Sequence, residues 1–251
     1  MITRRGMLGA LGAGAGGLLL SGCDRVAATP GFRRLVEGSE SLTMDFTRLV
    51  TDRHALAPEF TAADLSPVFR SNGTLRPSSA DYLRLLEGGF ADYRLVVDGL
   101  VRRPLSLSLA ELARLPARTQ ITRHDCVEGW SAIGRWTGTP LGGLLRDAGL
   151  LPSARYVVFH CADDYGRSRY YESVDLVDAF HPQTILAWGL NGSRLPVGNG
   201  APLRLRVERQ LGYKQAKYVM RVEAVASLAR IGGGRGGTWE DSSDYAWYAG
   251  I

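Results

Sequence analysis

Lysine is almost missing from this chain. Of 30 basic residues only two, Lys214 and Lys217, are lysine, and they stand three apart. An ammonium is a compact point charge that suits a phosphate oxygen. A composition that writes nearly every other cation as arginine, yet keeps two lysines in one short motif, points to an anion site there. A solvated face is the plainer alternative. Cysteine is scarce too: three in 251 residues, none with CxxC spacing, beside four scattered histidines. That is a weak zinc signature. No CxxCH offers a haem attachment point. No basic run carries interleaved aromatics, and a net charge of +5 is modest, so nucleic acid is not an expected partner. There is no internal repeat. At 45% hydrophobic and 22% charged, the composition is neither disordered nor collagen-like, and it can fill one large core or two small ones.

The chain begins with what reads as an address. Thr3-Arg4-Arg5-Gly6 precedes a weakly apolar run, rich in Gly and Ala, that ends at Leu20. The run is shorter than the roughly 20 residues of a spanning helix and fits a twin-arginine export signal. Leu20-Ser21-Gly22-Cys23 resembles a lipoprotein cleavage box. Lipidation at Cys23 would anchor the mature protein rather than thread it through the membrane, and Asp24 resembles a signal for inner-membrane retention. The twin-arginine route carries folded proteins, so it raises the expectation of a complex cofactor. Residues 1–23 are assigned to the signal, 24–64 to a tether and approach segment, and 65–251 to the catalytic domain.

Periodicity predicts helices around Asp81–Leu86, from Ser108, from Thr139 to Leu150 and from Ser173 to Phe180. Ser108 and Glu111 stand in capping-box positions. Strands are expected at Asp92–Leu100, Gln120–Asp125, Arg155–Cys161, Leu186–Gly192, Leu203–Glu208 and Tyr218–Val225. Leu203–Glu208 alternates apolar and charged residues and reads as half-exposed. The class is α+β, strand-rich.

Cys126 sits in Thr122-Arg123-His124-Asp125-Cys126-Val127-Glu128-Gly129-Trp130-Ser131. Two potential cations flank the thiol and would favour the thiolate, the form a soft metal binds. Three readings stand together: a metal-binding thiolate, a disulfide with Cys161 in an oxidising compartment, and a cysteine hydrolase with His124 as base. Cys161 lies in an apolar strand pattern and reads as core.

Arg123 to Ser131, followed by Trp136-Thr137-Gly138-Thr139-Pro140-Leu141, resembles the cofactor segment of the sulfite-oxidase-fold molybdopterin oxidoreductases. It is most similar to the branch of periplasmic methionine-sulfoxide reductase catalytic subunits. Further blocks agree in order: His181-Pro182-Gln183-Thr184, Leu195-Pro196, Asn199 to Leu205, Gly212 to Tyr218, and the tail residues Thr238-Trp239 and Trp247-Tyr248-Ala249. The resemblance covers residues 65–251 and implies a sulfite-oxidase-type fold with a molybdopterin cofactor. It implies Cys126 as the metal's sulfur ligand. Asn72, Arg123, His181, Gly212 and Tyr213 would contact the pterin, and Arg204, Lys214 and Lys217 its phosphate. Tyr165-Gly166-Arg167-Ser168 is similar to the stretch carrying the active-site tyrosine of sulfite oxidases. Tyr165 would donate to the transferred oxygen, and Arg167 would bind an anionic or S=O substrate.

Where sulfite oxidases carry arginines after the cysteine, this chain has Glu128, Gly129 and Trp130. The methionine-sulfoxide reductases in turn lack the Tyr165 to Ser168 stretch as it stands here, so the chain sits between the two branches. The expected reaction is oxygen-atom transfer to or from a small S- or N-oxide type substrate. Electrons would be exchanged with a separate partner, a membrane cytochrome b or a soluble cytochrome c. A sulfite dehydrogenase and a cofactor-free exported binding lipoprotein are the rivals.

Overall fold

The computed structural model of the chain describes residues 29–166 and 168–251. Arg4, Arg5, Cys23 and Arg167 lie outside the described residues. The chain divides after Val50. In the first unit, helix α1 spans Pro30–Val50 within the segment read as a tether. Leu35, Leu42, Phe46 and Leu49 recur at helical spacing there.

The second unit, Thr51–Ile251, is built on two sheets. After α2 (Ala80–Glu87), the chain lays down β1 (Leu95–Gly99), β2 (Leu105–Leu107), α3 (Leu109–Arg114), β3 (Arg118–Asp125), β4 (Ser131–Pro140), α4 (Leu141–Ala148) and β5 (Tyr156–Tyr165). There follow β6 (Ser168–Asp175), the single turn α5 (Leu176–Ala179), β7 (Ile185–Leu190), β8 (Ser193–Arg194), β9 (Arg204–Arg206), β10 (Val219–Val225) and α6 (Thr238–Ser243). One sheet runs β2-β1-β10-β5-β6; the other runs β3-β4-β7-β8, with β9 also pairing β7. Among the described residues only β1 and β10 pair in parallel; the other pairings are antiparallel.

Local chemistry explains most of these elements. Ser108 accepts from Glu111 N–H at 3.2 Å while Glu111 returns to Ser108 N–H at 2.8 Å, closing the predicted capping box on α3. In α4, Leu141, Leu144, Leu145 and Ala148 fall on one face and are buried. β5 lies between β10 and β6, so Val157, Val158 and Phe159 are all fully buried, the continuous apolar pattern of a strand covered on both faces.

Two expectations change. Ser173–Asp175 belongs to β6, in register with Val158, Val157 and Tyr156, and the helix there shrinks to α5. Sheet pairing outweighs helical propensity in that segment. β9 is not half-exposed: Arg204, Leu205 and Arg206 are all fully buried. Both guanidiniums lie against the ring of Trp136, 5.5 and 4.3 Å from its centroid, a cation–π arrangement that replaces water on one side.

Candidate active site

Five residues, Cys126–Trp130, join β3 to β4. Cys126 N–H donates to the Trp130 carbonyl at 2.9 Å and Gly129 N–H to the Cys126 carbonyl at 3.0 Å. Gly129 takes a φ of +83°, a conformation that residues bearing a Cβ adopt only at a cost. The loop is thus closed by its own backbone and fixes Cys126 at the end of the hairpin. The Trp130 indole N–H donates to Glu128 Oε2 at 2.9 Å and orients that carboxylate.

Cys126 lines a cavity of about 280 Å³. Its wall is drawn from both sheets: Cys126 to Glu128 after β3, Asp163 to Tyr165 at the end of β5, Tyr170 of β6, the loop Asn72–Thr74, the segment around Gly212–Lys217, and Trp239 and Tyr245 of the tail. Four rings follow one another along it. Tyr165 meets Trp239 at 5.0 Å, Trp239 stacks on Tyr245 at 5.7 Å, and Tyr245 meets Tyr213 at 5.0 Å.

Arg204 identifies what kind of group the site accepts. Arg206 is satisfied by Glu208, at 2.9 and 2.6 Å. Arg204 donates only to the Asn199 carbonyl, at 3.3 Å, and its Nε and Nη2 have no partner. Burial, then the neighbouring Arg206, pull its pKa down to about 9. An arginine does not surrender its proton inside a protein, so the depression registers a buried cation short of counter-charge. His124 Nε2, Asn199 Nδ2 and Asn72 Oδ1 are also buried without partners. Each such atom costs about 1–3 kcal/mol when left unpaired, so several together mark a ligand's place. Lys217 adds an ammonium that donates to the carbonyls of Asn72 at 2.5 Å and Gly198 at 3.1 Å and to that of Thr74. Burial, then Arg204, bring it down to about 7. A buried anion with several acceptor oxygens fits the free donors of Arg204 and Asn199 and the charge of Lys217, whereas Asn72 Oδ1 can only accept.

The residues singled out in the sequence part into two groups. Asn72, Cys126, Tyr165, Gly212, Tyr213 and Lys217 meet on the cavity, and Arg204 lies close enough to lower the Cys126 pKa. Tyr165, at the end of β5, pairs with Ser168 at the start of β6 and also lines the cavity. Arg123, His181 and Lys214 do not line it. Arg123 pairs with Asp125 at 2.9 Å and faces a second cavity of about 330 Å³. His181 accepts from Gln183 N–H at 3.3 Å and meets the Ala55 carbonyl at 3.0 Å, so both ring nitrogens are engaged. Lys214 is wholly buried between Glu172 and Glu240.

The thiol's electrostatics also differ from expectation. Burial is the main influence and raises the Cys126 pKa; Arg204 opposes it. Neither flanking cation helps as foreseen. Arg123 turns to Asp125, and burial, Arg204 and Arg206 hold His124 well below its ordinary pKa, so it stays neutral. Such an imidazole is a poor base for a hydrolytic thiol. Cys126 and Cys161 are both free, which removes the disulfide reading.

Residues 86–229 match the family described as the oxidoreductase molybdopterin binding domain. The chain belongs to that family. It is a molybdopterin-dependent oxidoreductase, and its strand-rich α+β architecture is the sulfite-oxidase type expected from the sequence. Three curated relatives are similar to it. "Putative protein-methionine-sulfoxide reductase subunit YedZ1" of Azospira oryzae is 40% identical over 76% of this chain and 70% of its own length. The protein-methionine-sulfoxide reductase catalytic subunit MsrP of Xanthomonas campestris is 35% identical over 62% of this chain and 50% of its own. MsrP of Gluconobacter oxydans is 39% identical over 52% and 46%. The chain thus spans about half the length of those two MsrP relatives. Among solved structures, the sulfane dehydrogenase SoxCD of Paracoccus pantotrophus superposes with a TM-score of 0.52 at 24% identity, over 61% of this chain and 41% of that one; it supports the fold alone.

For a molybdopterin enzyme, the geometry adds residues to which the sequence reading gave no role, namely Asn199, Glu128, Asp163, Gln215, Trp239 and Tyr245, and it changes that of His124, read from the sequence as a cation or a base. Asn199 and Gln215 stand inside the matching blocks, so their signal was present. Asp163 carried none, because its place depends on the register of β5 against β6.

Proposed function

We propose that this chain is the exported catalytic subunit of a methionine-sulfoxide-reductase-type system that removes oxygen from an S-oxide. The observation that carries it is the fixed thiol of Cys126, opening on a cavity with an under-neutralised Arg204 close by. Cys126 is the protein's ligand to molybdenum. Arg204 and Asn199 would donate to the pterin or its phosphate, Asn72 Oδ1 would accept from the pterin, and Lys217 would add its charge. Among the described residues no three His, Cys, Asp or Glu side chains converge as a metal site of their own; Cys126 would be this chain's contribution to the metal. Bound there, the cofactor supplies the two-electron redox change. Overall, two electrons and two protons enter, the S–O bond breaks, and the oxygen leaves as water.

The chain's own residues bind the substrate and manage its protons. The Tyr165 phenol lies on the cavity and can hydrogen-bond to the departing oxygen. Asp163, pushed up to about 6 mainly by burial, retains a proton in weakly acidic conditions. The other carboxylates on the wall are Glu128 and Asp164. With the charges of Arg204 and Lys217 taken up by the phosphate, the carboxylates and rings on the wall suit an uncharged oxide better than a sulfite dianion. Electrons come from a separate partner, a membrane cytochrome b or a soluble cytochrome c. One of the relatives is named as a subunit of a protein-methionine-sulfoxide reductase and two as that enzyme's catalytic subunit, which favours a separate partner subunit. Arg4-Arg5 supports export and Cys23 a lipid anchor; no described helix is long and apolar enough to cross a membrane.

The test is turnover by protein purified after native export. Reduced-dye oxidation with methionine sulfoxide is expected. Sulfite oxidation with cytochrome c instead, or no sulfoxide turnover from molybdenum-loaded protein, would overturn the proposal.

A further inference from the structure

Among the six consecutive residues Gly212 to Lys217, Lys214 alone does not line the cavity. Its side chain is fully buried and bonds Glu172 of β6, and Glu240 of α6 at 2.6 Å. Its Nζ also lies 5.4 Å from the ring centroid of Trp247 in the tail. Two carboxylates and one ammonium are thus sealed from water. Glu172 is pushed well above the ordinary carboxylate range, first by burial and then by Glu240, against the pull of Lys214.

Each member stands beside a residue of the cavity wall. Tyr213 and Gln215 flank Lys214, Tyr170 is two before Glu172, and Trp239 immediately precedes Glu240. Tyr170 donates through its hydroxyl to the Tyr213 carbonyl at 2.9 Å, tying two of those elements together at the cavity. The close approach is written into the backbone as well. A Cβ at Gly237 would come within 2.0 Å of Glu240 Oε2 and 2.7 Å of Glu172 Oε1, so a larger residue there would have to displace the two carboxylates. Thr238 adds a pair of bonds to Tyr171, at 2.9 and 3.1 Å.

We propose that Glu172, Lys214 and Glu240 form a buried positioning lock. It fastens the C-terminal segment to the cofactor-side segment, so that Trp239 and Tyr245 form the specificity wall for the alkyl groups of the sulfoxide. The lysine expected to serve the phosphate instead serves the substrate side. Rings of this kind attract a sulfur and its methyl groups. The inference rests on reading the Cys126 cavity as the substrate site.

The lock is tested with Glu240→Gln, which keeps volume and leaves Lys214 paired with Glu172. A triple variant, Glu172→Gln with Lys214→Met and Glu240→Gln, removes all charge without stranding any, since a buried ion cluster replaced whole is tolerated better than one broken. Molybdenum content, KM and kcat for methionine sulfoxide, and amide hydrogen exchange over residues 232–250 are measured against wild type. Expected are unchanged metal content, faster exchange in the tail, and a KM raised about two- to tenfold, the span of a lost sulfur–aromatic contact, with kcat held. Trp239→Leu should reproduce the KM change without the exchange change. Loss of molybdenum in the triple variant, at unchanged tail exchange, would return Lys214 to the phosphate. Unaltered KM and exchange in both lock variants would also overturn the proposal. Hydrogen exchange reads the lock even where wild type shows no sulfoxide turnover, so that failure would fall on the functional reading alone.

Discussion

Replacing Asp163 with asparagine should make the protein more stable at neutral pH, although the residue lies in the active cavity. Asp163 is 6% exposed, and its Oδ1 has no hydrogen-bond partner. Burial raises its pKa from the ordinary 3.8 to about 6, over the opposing pull of a backbone bond and of Lys217. The folded state therefore binds this proton more tightly than the unfolded chain does. Stability from this group is complete below pH 3.8, falls as pH rises between 3.8 and about 6, and is level above that. A shift of about two pH units at about 1.4 kcal/mol each comes to about 3 kcal/mol. Asparagine has the same shape and no charge, so Asp163→Asn should gain up to about 3 kcal/mol at pH 7 and nothing at pH 4. For a chain of this size that is a Tm rise of up to roughly 6–12 °C. Thermal unfolding followed by circular dichroism at pH 4, 5, 6 and 7 measures it. A variant less stable than wild type at pH 7 would show that the pairing with Lys217 outweighs burial, and the reasoning would be wrong.

Trp136 is fully buried and backs both Arg204 and Arg206, so Trp136→Ala should cost about 3–5 kcal/mol; it should lower the urea midpoint without changing the slope. Cys161 is buried in the main core and free, so Cys161→Ala should keep wild-type molybdenum content and turnover. Wild type should run identically on gels with and without reductant, and a faster-migrating oxidised form would revive the disulfide.

The strands legible in the sequence were those whose apolar residues meet only one environment, such as β1 and β10, or a fully covered one, such as β5. Capping chemistry made α3 legible down to its first hydrogen bond. β9 misled because alternating arginines normally face water. Here Trp136, some seventy positions earlier, supplies a surface for them, and Glu208 a counter-charge for one. The candidate site was legible where a short motif carries it, as at Cys126, Tyr165, Gly212 and Lys217. It was not legible where neighbours in the chain face opposite ways. Lys214 and Lys217 looked like a pair, yet one lines the cavity and the other is locked between two glutamates. Arg123 looked like the cation beside the thiol, yet β3 turns it outward and β9 provides Arg204.

The central claim is that Cys126 holds molybdenum, and metal analysis with electron paramagnetic resonance on natively exported wild type and Cys126→Ala tests it most directly. About one molybdenum per chain is expected in wild type, with a Mo(V) signal that Cys126→Ala loses or alters. Molybdenum absent from active wild-type protein, or an identical signal in the variant, would contradict it.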